Sequence, residues 1–264
     1  AAADAVVAEA PPVAPPRASA GGEPSRPGAG PPVGEGASRA PASSSDAGGE
    51  AGATPSVVVV TTETIVVAGA SRAFVLAAPR DGARSLVLAL HGDGGDGASF
   101  RAELPFDVAT ASGAAVAYPT GTGRSWDLYT PSAGNADEAL LGALVASLRA
   151  RFAIEATRVF GTGFSSGAFM VNQVACRQPS LFRAIASHGG GAPVEPEDPA
   201  ATTWPGGYTR CAGQTSGVAA LVVHGEQDGV VAWDSGSYAA RYWSAVDGCG
   251  TSRVPAPGAF GQAG

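Results

Sequence analysis

Beyond residue 80 the chain alternates between short, almost wholly apolar runs and longer stretches in which apolar positions recur every three or four residues. The runs are Ser85 to Leu90, Ala114 to Tyr118, Arg158 to Gly161, Ala184 to Ser187 and Ala219 to Val223. Runs this short and this apolar predict strands covered on both faces. Between the second and third of them, Leu140, Leu141, Leu144, Val145, Leu148 and Phe152 follow Asn135 and Asp137, either of which can cap, so an amphipathic helix is predicted over 135–152. Tyr238, Tyr242 and Trp243 also fall at helical spacing and read as core. Upstream, a Val and Thr run from Val57 to Thr62 and a second stretch from Arg72 to Ala77 predict a hairpin leading into the domain. Strands alternating with helices make the class α/β, a mostly parallel central sheet with helices on both faces.

The first 56 residues break this pattern. They hold ten prolines and nine glycines but no Leu, Ile, Met, Phe, Tyr or Trp, too little apolar surface to offset the entropy of ordering. Pro11 to Pro16 favours extended polyproline geometry and the Gly, Ser and Ala stretches favour coil. Residues 1–56 are therefore expected to be a disordered linker with stiff patches, and 57–264 a single domain. With 45% hydrophobic side chains, 264 residues suffice for one sizeable core.

Net charge is -7 and all 16 basic residues are Arg. Without a basic stripe to neutralise phosphates, nucleic acid and anionic membrane surfaces are not expected partners. No apolar window approaches the length of about 18 residues that a membrane helix needs. The absence of lysine excludes Schiff-base chemistry and the lysine of a phosphate-binding loop. Met170 is the only methionine, so the sequence is not expected to begin at a translation start.

The sharpest chemical signal is Arg158 to Met170 (RVFGTGFSSGAFM), a predicted strand that runs through G-x-S-x-G into a helical segment. A serine at such a junction sits on a strained turn with its hydroxyl exposed at the top of the sheet. Strand and helix nearly touch there, so the flanking residues must be small, as Gly163 and Gly167 are. Ser165 is the candidate nucleophile. A second strand, Leu86 to Leu90, ends in His91 and a glycine-rich loop, Gly92 to Gly95. Acyl transfer on this architecture needs two backbone N–H groups for the oxyanion, and those of Ser166 and Asp93 are the predicted pair. Gly92 to Gly97 also satisfies the dinucleotide pattern G-x-G-x-x-G. That site would want an acid about 20 residues on, and no Asp or Glu lies between Asp107 and Asp127, so no cofactor is expected. A third strand, Ala219 to Val223, leads into His224, Glu226 and Asp228. A nucleophile followed by an acid is the chain order of such a hydrolase; Asp228 is the candidate acid and Glu226 the alternative. There is no C-x-x-C or H-E-x-x-H, and no metal is expected.

Jointly these motifs resemble those of the secreted esterases that include polyhydroxybutyrate depolymerases, feruloyl esterases and acetylxylan esterases. The resemblance runs from about Ser71 to Cys249. It rests on Leu90, His91 and Gly92; on Ala117 to Pro119 followed by Trp126; on Asp137 and Glu138 heading a helix; and on Arg158 to Gly167. It continues through Phe182 to Ala186, His224 to Asp228 and Asp247 to Cys249. It implies an α/β-hydrolase fold and an extracellular serine esterase working through an acyl-enzyme, with Ser165 as nucleophile and Asp228 as acid. The expected substrates are polymer-linked esters: feruloyl or acetyl esters of plant polysaccharide, or polyhydroxybutyrate. A monomer is expected.

Members of this family carry their catalytic histidine well beyond the acid, whereas here no histidine follows His224. The expectation is that the sequence stops short of the last strand, that histidine and the closing helix, and that these 264 residues are nearly inactive. Of the histidines present, His188 is the one candidate substitute, and His224 is expected to tie down its loop. His91 is structural by the resemblance, and with Trp126 and His188 it is also a candidate for substrate contact; Trp126 and Tyr129 either line the cleft or fill the core. Three cysteines make an odd count for a secreted protein. The expected bridge is Cys176 to Cys211, leaving Cys249 unpaired, with three free thiols as the alternative. Other functional readings are a catalytically dead carbohydrate-binding or surface protein, and a serine peptidase.

Overall fold

A computed structural model describes residues 57–109, 113–194, 203–212 and 214–249. The predicted linker, 1–56, lies outside them. The elements in chain order are β1 (Val58–Val67), β2 (Ala70–Pro79), β3 (Ser85–Leu90), α1 (Gly97–Glu103), α2 (Phe106–Ala109), β4 (Ala114–Pro119) and α3 (Ala136–Phe152), then β5 (Val159–Phe164), α4 (Ser166–Arg177), β6 (Ala184–His188), β7 (Thr203–Trp204), β8 (Tyr208–Thr209), β9 (Ala219–Val223) and α5 (Trp233–Val246).

Seven strands form one sheet in the order β1-β2-β4-β3-β5-β6-β9, and β7 and β8 pair separately. The hairpin β1–β2 is antiparallel and outlasts its two apolar runs, because Ala68 and Gly69 both take positive φ (48° and 81°), the turn that two-residue hairpins favour. β2 also meets β4 antiparallel; the remaining neighbours, β4–β3, β3–β5, β5–β6 and β6–β9, are parallel. The five apolar runs of the sequence are these five parallel strands.

One face of the sheet is set by Leu86, Leu88 and Leu90 of β3, which pack with Leu140, Leu144, Met170 and Val174 of α3 and α4 and with Tyr242 and Trp243 of α5. The other face is thinner: Val75, Ala89, Val116 and Tyr118 lie against Phe100 and Phe106 of α1 and α2. Asn135 caps α3 by accepting the N–H groups of Asp137 and Glu138 at 3.1 and 2.9 Å. The buried carboxylates that follow are paired, Asp137 with Arg72 and Glu138 with Arg177, each at 2.5 Å.

Two expectations need correction. The parallel strands are not all covered on both faces: Leu221 and Val223 of β9 are 54% and 45% exposed. α1 and α2 lie over β2, β4 and β3, and among the described residues no helix reaches across that side of β9. Of the three aromatics read as core, Tyr242 and Trp243 are buried, whereas Tyr238 lies on the outer side of α5 and is exposed.

After β3 the chain crosses through α1 and α2 to β4 on one side; after β4 it crosses through α3 to β5 on the other side of β3. The connections leaving β3 and β5 therefore diverge, and a crevice opens at the carboxyl ends of these two neighbours, where ligands of open α/β sheets bind.

Candidate active site

Ser165 stands at that crevice, between the last residue of β5 and the first of α4, at φ 53° and ψ −120°. This conformation costs about 1–3 kcal/mol for a side chain that is not glycine, so the surroundings must impose it. They do so through the glycines. A Cβ on Gly163 would overlap the backbone of Gly167, and a Cβ on Gly167 would overlap the carbonyls of Leu90 and His91. Only with both side chains missing can α4 begin so close to β3 and β5. The Ser165 N–H donates to His188 O at 2.9 Å, and its carbonyl accepts from Ala168 N and Phe169 N at 2.9 and 3.1 Å. Its partly exposed hydroxyl makes no hydrogen bond among the described residues. Asn172, about two helical turns further on, pins α4 in place: its amide donates to Ala168 O, Ser187 Oγ and Gly191 O, and its oxygen accepts from Trp243 Nε1 at 2.7 Å.

The loop after β3 lies directly on this elbow. A Cβ on Gly92 would stand 3.1 Å from Phe164 Cδ1 and 3.4 Å from Ser165 Cβ. The amides of Asp93 and Ser166 donate to no protein acceptor among the described residues; the second is an orphan of the helix start. His91 and Trp126 hold the loop from beneath. Gly121 N–H donates to His91 Nε2 at 3.0 Å, so the ring proton sits on Nδ1 and is donated to Gly92 O at 2.7 Å. Trp126 Nε1 donates to His91 O at 2.8 Å. The reading of these two as substrate contacts is therefore corrected. At 1% and 5% exposure, with their polar atoms engaged, they offer a substrate no surface. Tyr129 is exposed, and so is His188, whose ring packs edge-on against Phe164.

The third element is the loop after β9. Asp228 Oδ1 accepts from Val230 N and Val231 N at 2.9 and 3.0 Å, and these two bonds lead in holding its carboxyl below the usual carboxylate range. Its other oxygen, Oδ2, lies 3.6 Å from where a Cβ on Gly189 would be. His224 Nε2 donates to Val231 O at 2.8 Å and stands 3.6 Å from Asp228 Oδ2, so its buried ring ties this loop together. Glu226, the alternative acid, is exposed and makes none of these bonds. β6 lies between β5 and β9, so the loops that carry Ser165 and Asp228 stand on either side of the His188–Gly189 corner. Among the described residues His188 has no hydrogen bond to Ser165 Oγ or to Asp228. A groove of about 620 Å³ beside α5 is lined by Trp233, Arg241 and Cys249 among others and does not include Ser165.

Cys176 of α4 and Cys211 are joined in a disulfide whose Cα atoms are 5.7 Å apart, and Cys249 is free and exposed. The bridge ties the helix behind Ser165 to the β7–β8 segment.

Burial lowers the pKa of His91 below its ordinary value of 6.5. A depressed histidine is protonated in the unfolded chain before it is in the folded one, so folding stability falls as pH drops below 6.5. A second ring proton would also face the Gly121 N–H. Urea denaturation from about pH 7 to about pH 5.5 is expected to show this loss, and His91→Gln to flatten it. Equal slopes for the two proteins would remove His91 from the explanation.

Residues 81–201 match the family model described as Esterase PHB depolymerase. The probable feruloyl esterase C of Aspergillus flavus is 26% identical over 179 residues, 66% of this chain and 59% of that one. Its counterpart in Aspergillus terreus is 29% identical over 139 residues, 53% and 44%. The chain thus spans about half the length of these curated relatives. Among solved structures, a thermostable esterase aligns with a TM-score of 0.50 at 21% identity, over 71% of this chain and 52% of that one, a likeness of fold. Residues 81–201 thus resemble that esterase family, and the sheet with its helices has the α/β-hydrolase fold.

Proposed function

We propose that Ser165 is the nucleophile of an extracellular carboxylic ester hydrolase that works through an acyl-enzyme. The observation that carries this reading is the strained backbone at Ser165, which presents a free hydroxyl beside the unengaged amides of Ser166 and Asp93. Ser165 Oγ attacks the ester carbonyl while these amides receive the developing oxyanion. An imidazole in the space between Ser165 and Asp228 takes the serine proton and passes it to the leaving alcohol; Asp228, kept ionised by the loop amides, orients that ring. Water then releases the acid. No described histidine is bonded into that position, so the 264 residues alone are proposed to turn over esters several orders of magnitude below a complete triad. Ser165 is partly exposed at the carboxyl ends of the central strands, which suits esters carried on a polymer, and the relatives named feruloyl esterase favour feruloyl esters of polysaccharide. The buried disulfide supports an oxidising, extracellular setting.

The test is chemical rescue. With free imidazole added, the chain is expected to hydrolyse p-nitrophenyl acetate and methyl ferulate at rates that rise with imidazole, and to leave matched peptide amides intact. Rates no higher than imidazole gives without protein would reject the ester-hydrolase reading, and cleavage of the amides would turn it into a peptidase.

A further inference from the structure

Arg124 takes no part in the mechanism above, yet its backbone is strained. Gly123 and Arg124 are consecutive left-handed residues, at φ 62° and 63°, a conformation that arginine avoids unless its surroundings require it. The segment is anchored from behind: buried Asp137 accepts from Thr122 N, Thr122 Oγ1 and Asp127 N at 2.9–3.0 Å. From that anchor Arg124 reaches forward. Its Nε donates to Gly94 O at 2.8 Å and its Nη1 lies 3.1 Å from Asp96 Oδ2. Asp96 in turn caps α1 by accepting from Ser99 N. One guanidinium thus spans the carbonyl of Gly94, next to Asp93, and the residue that caps the next helix.

We propose that Arg124 is a positioning residue that clasps the loop between Gly94 and Asp96 and so fixes the Asp93 amide over Ser165. The left-handed turn is what carries the guanidinium across the loop; a relaxed turn would aim it elsewhere. The side chain is 59% exposed, so the clasp adds little to the core and acts on the geometry of the oxyanion site. The proposal rests on the reading of Asp93 as an oxyanion donor.

Arg124→Ala and Arg124→Lys are to be compared with the unaltered chain in two measurements: imidazole-rescued p-nitrophenyl acetate hydrolysis, and hydrogen exchange of the backbone amides of residues 92–97. Arg124→Ala is expected to lower kcat about tenfold, the scale on which a loosened rather than deleted oxyanion donor acts, with KM and Tm unchanged, and to speed exchange in 92–97 without changing it in β3. Lysine, which can reach Asp96 or Gly94 but not both, should fall between. Unchanged exchange in 92–97, or a loss of kcat accompanied by a fall in Tm and faster exchange throughout the domain, would overturn the clasp. Failure of the ester-hydrolase reading looks different: the rescued rate would survive Ser165→Ala, while loop exchange would still report whether Arg124 holds the loop.

Discussion

Ser165→Ala is expected to abolish imidazole-rescued ester hydrolysis, a loss of at least about 10³-fold, with no loss of stability. The alanine keeps the Cβ that the elbow already accommodates and removes only a hydroxyl that has no hydrogen bond among the described residues. Ser166→Ala is the control: it leaves the backbone amide in place and should retain most of the rate. Asp228→Asn should weaken the rescue by about tenfold or more, because the acid orients the imidazole. A free imidazole is positioned by Asp228 alone, so this dependence also reports whether the space between the two residues is the base's position. His188→Ala should change the rescued rate little. If it removed a rate seen without added imidazole, His188 would be the base.

The second large effect concerns Gly163. A Cβ there meets main-chain atoms, Gly167 O and Ala168 N, which cannot swing aside as a flexible side-chain end would. α4 would have to lift from β5, opening the contact that Val171 makes at Gly161. Gly163→Ala should cost more than about 3 kcal/mol, in the upper range for an overpacked core, and lower Tm by roughly 6–12 °C for a domain of this size. Gly142, inside α3, has only Gln178 Oε1 within reach, at 3.7 Å. Gly142→Ala should therefore be neutral or stabilising by about 0.5–1 kcal/mol, as in an ordinary helix interior. Thermal unfolding of the two variants side by side separates close packing at the elbow from a general aversion to alanine. Equal Tm values would mean that the elbow does not need its glycines.

The same contrast explains what could be read in the sequence. Strands β3, β4, β5, β6 and β9 were legible because each belongs to the parallel part of the sheet and is written as a short, mostly apolar run. Ser165 was legible because G-x-S-x-G between a strand and a helix states a steric demand in consecutive residues. α1, α2, β7 and β8 were not, since elements of two to seven residues leave no periodic trace. For His91 and Trp126 the substrate-contact reading stood open beside the structural one for a different reason. Their partners lie 30 and 35 residues away in the chain, and the same residue types serve equally well in a cleft or beneath a loop. Arg124 was missed altogether, since a charged residue in a glycine-rich turn carries no sign of its φ. The exposed side of β9 was hidden because an apolar run looks the same whether or not a helix reaches it.

The central claim is that an acyl group passes through Ser165, and it can be observed directly. Arg158 and Arg177 bracket the elbow, so trypsin releases Val159–Arg177 as one peptide once the disulfide is reduced. The chain is mixed with p-nitrophenyl acetate and imidazole, quenched in acid and digested, and fragment masses then locate the acetyl group. An acetyl group on Ser165, absent from Ser165→Ala, is the predicted result. Hydrolysis that proceeds with that peptide unmodified, or an acetyl group on another residue of the chain in its place, would contradict the account.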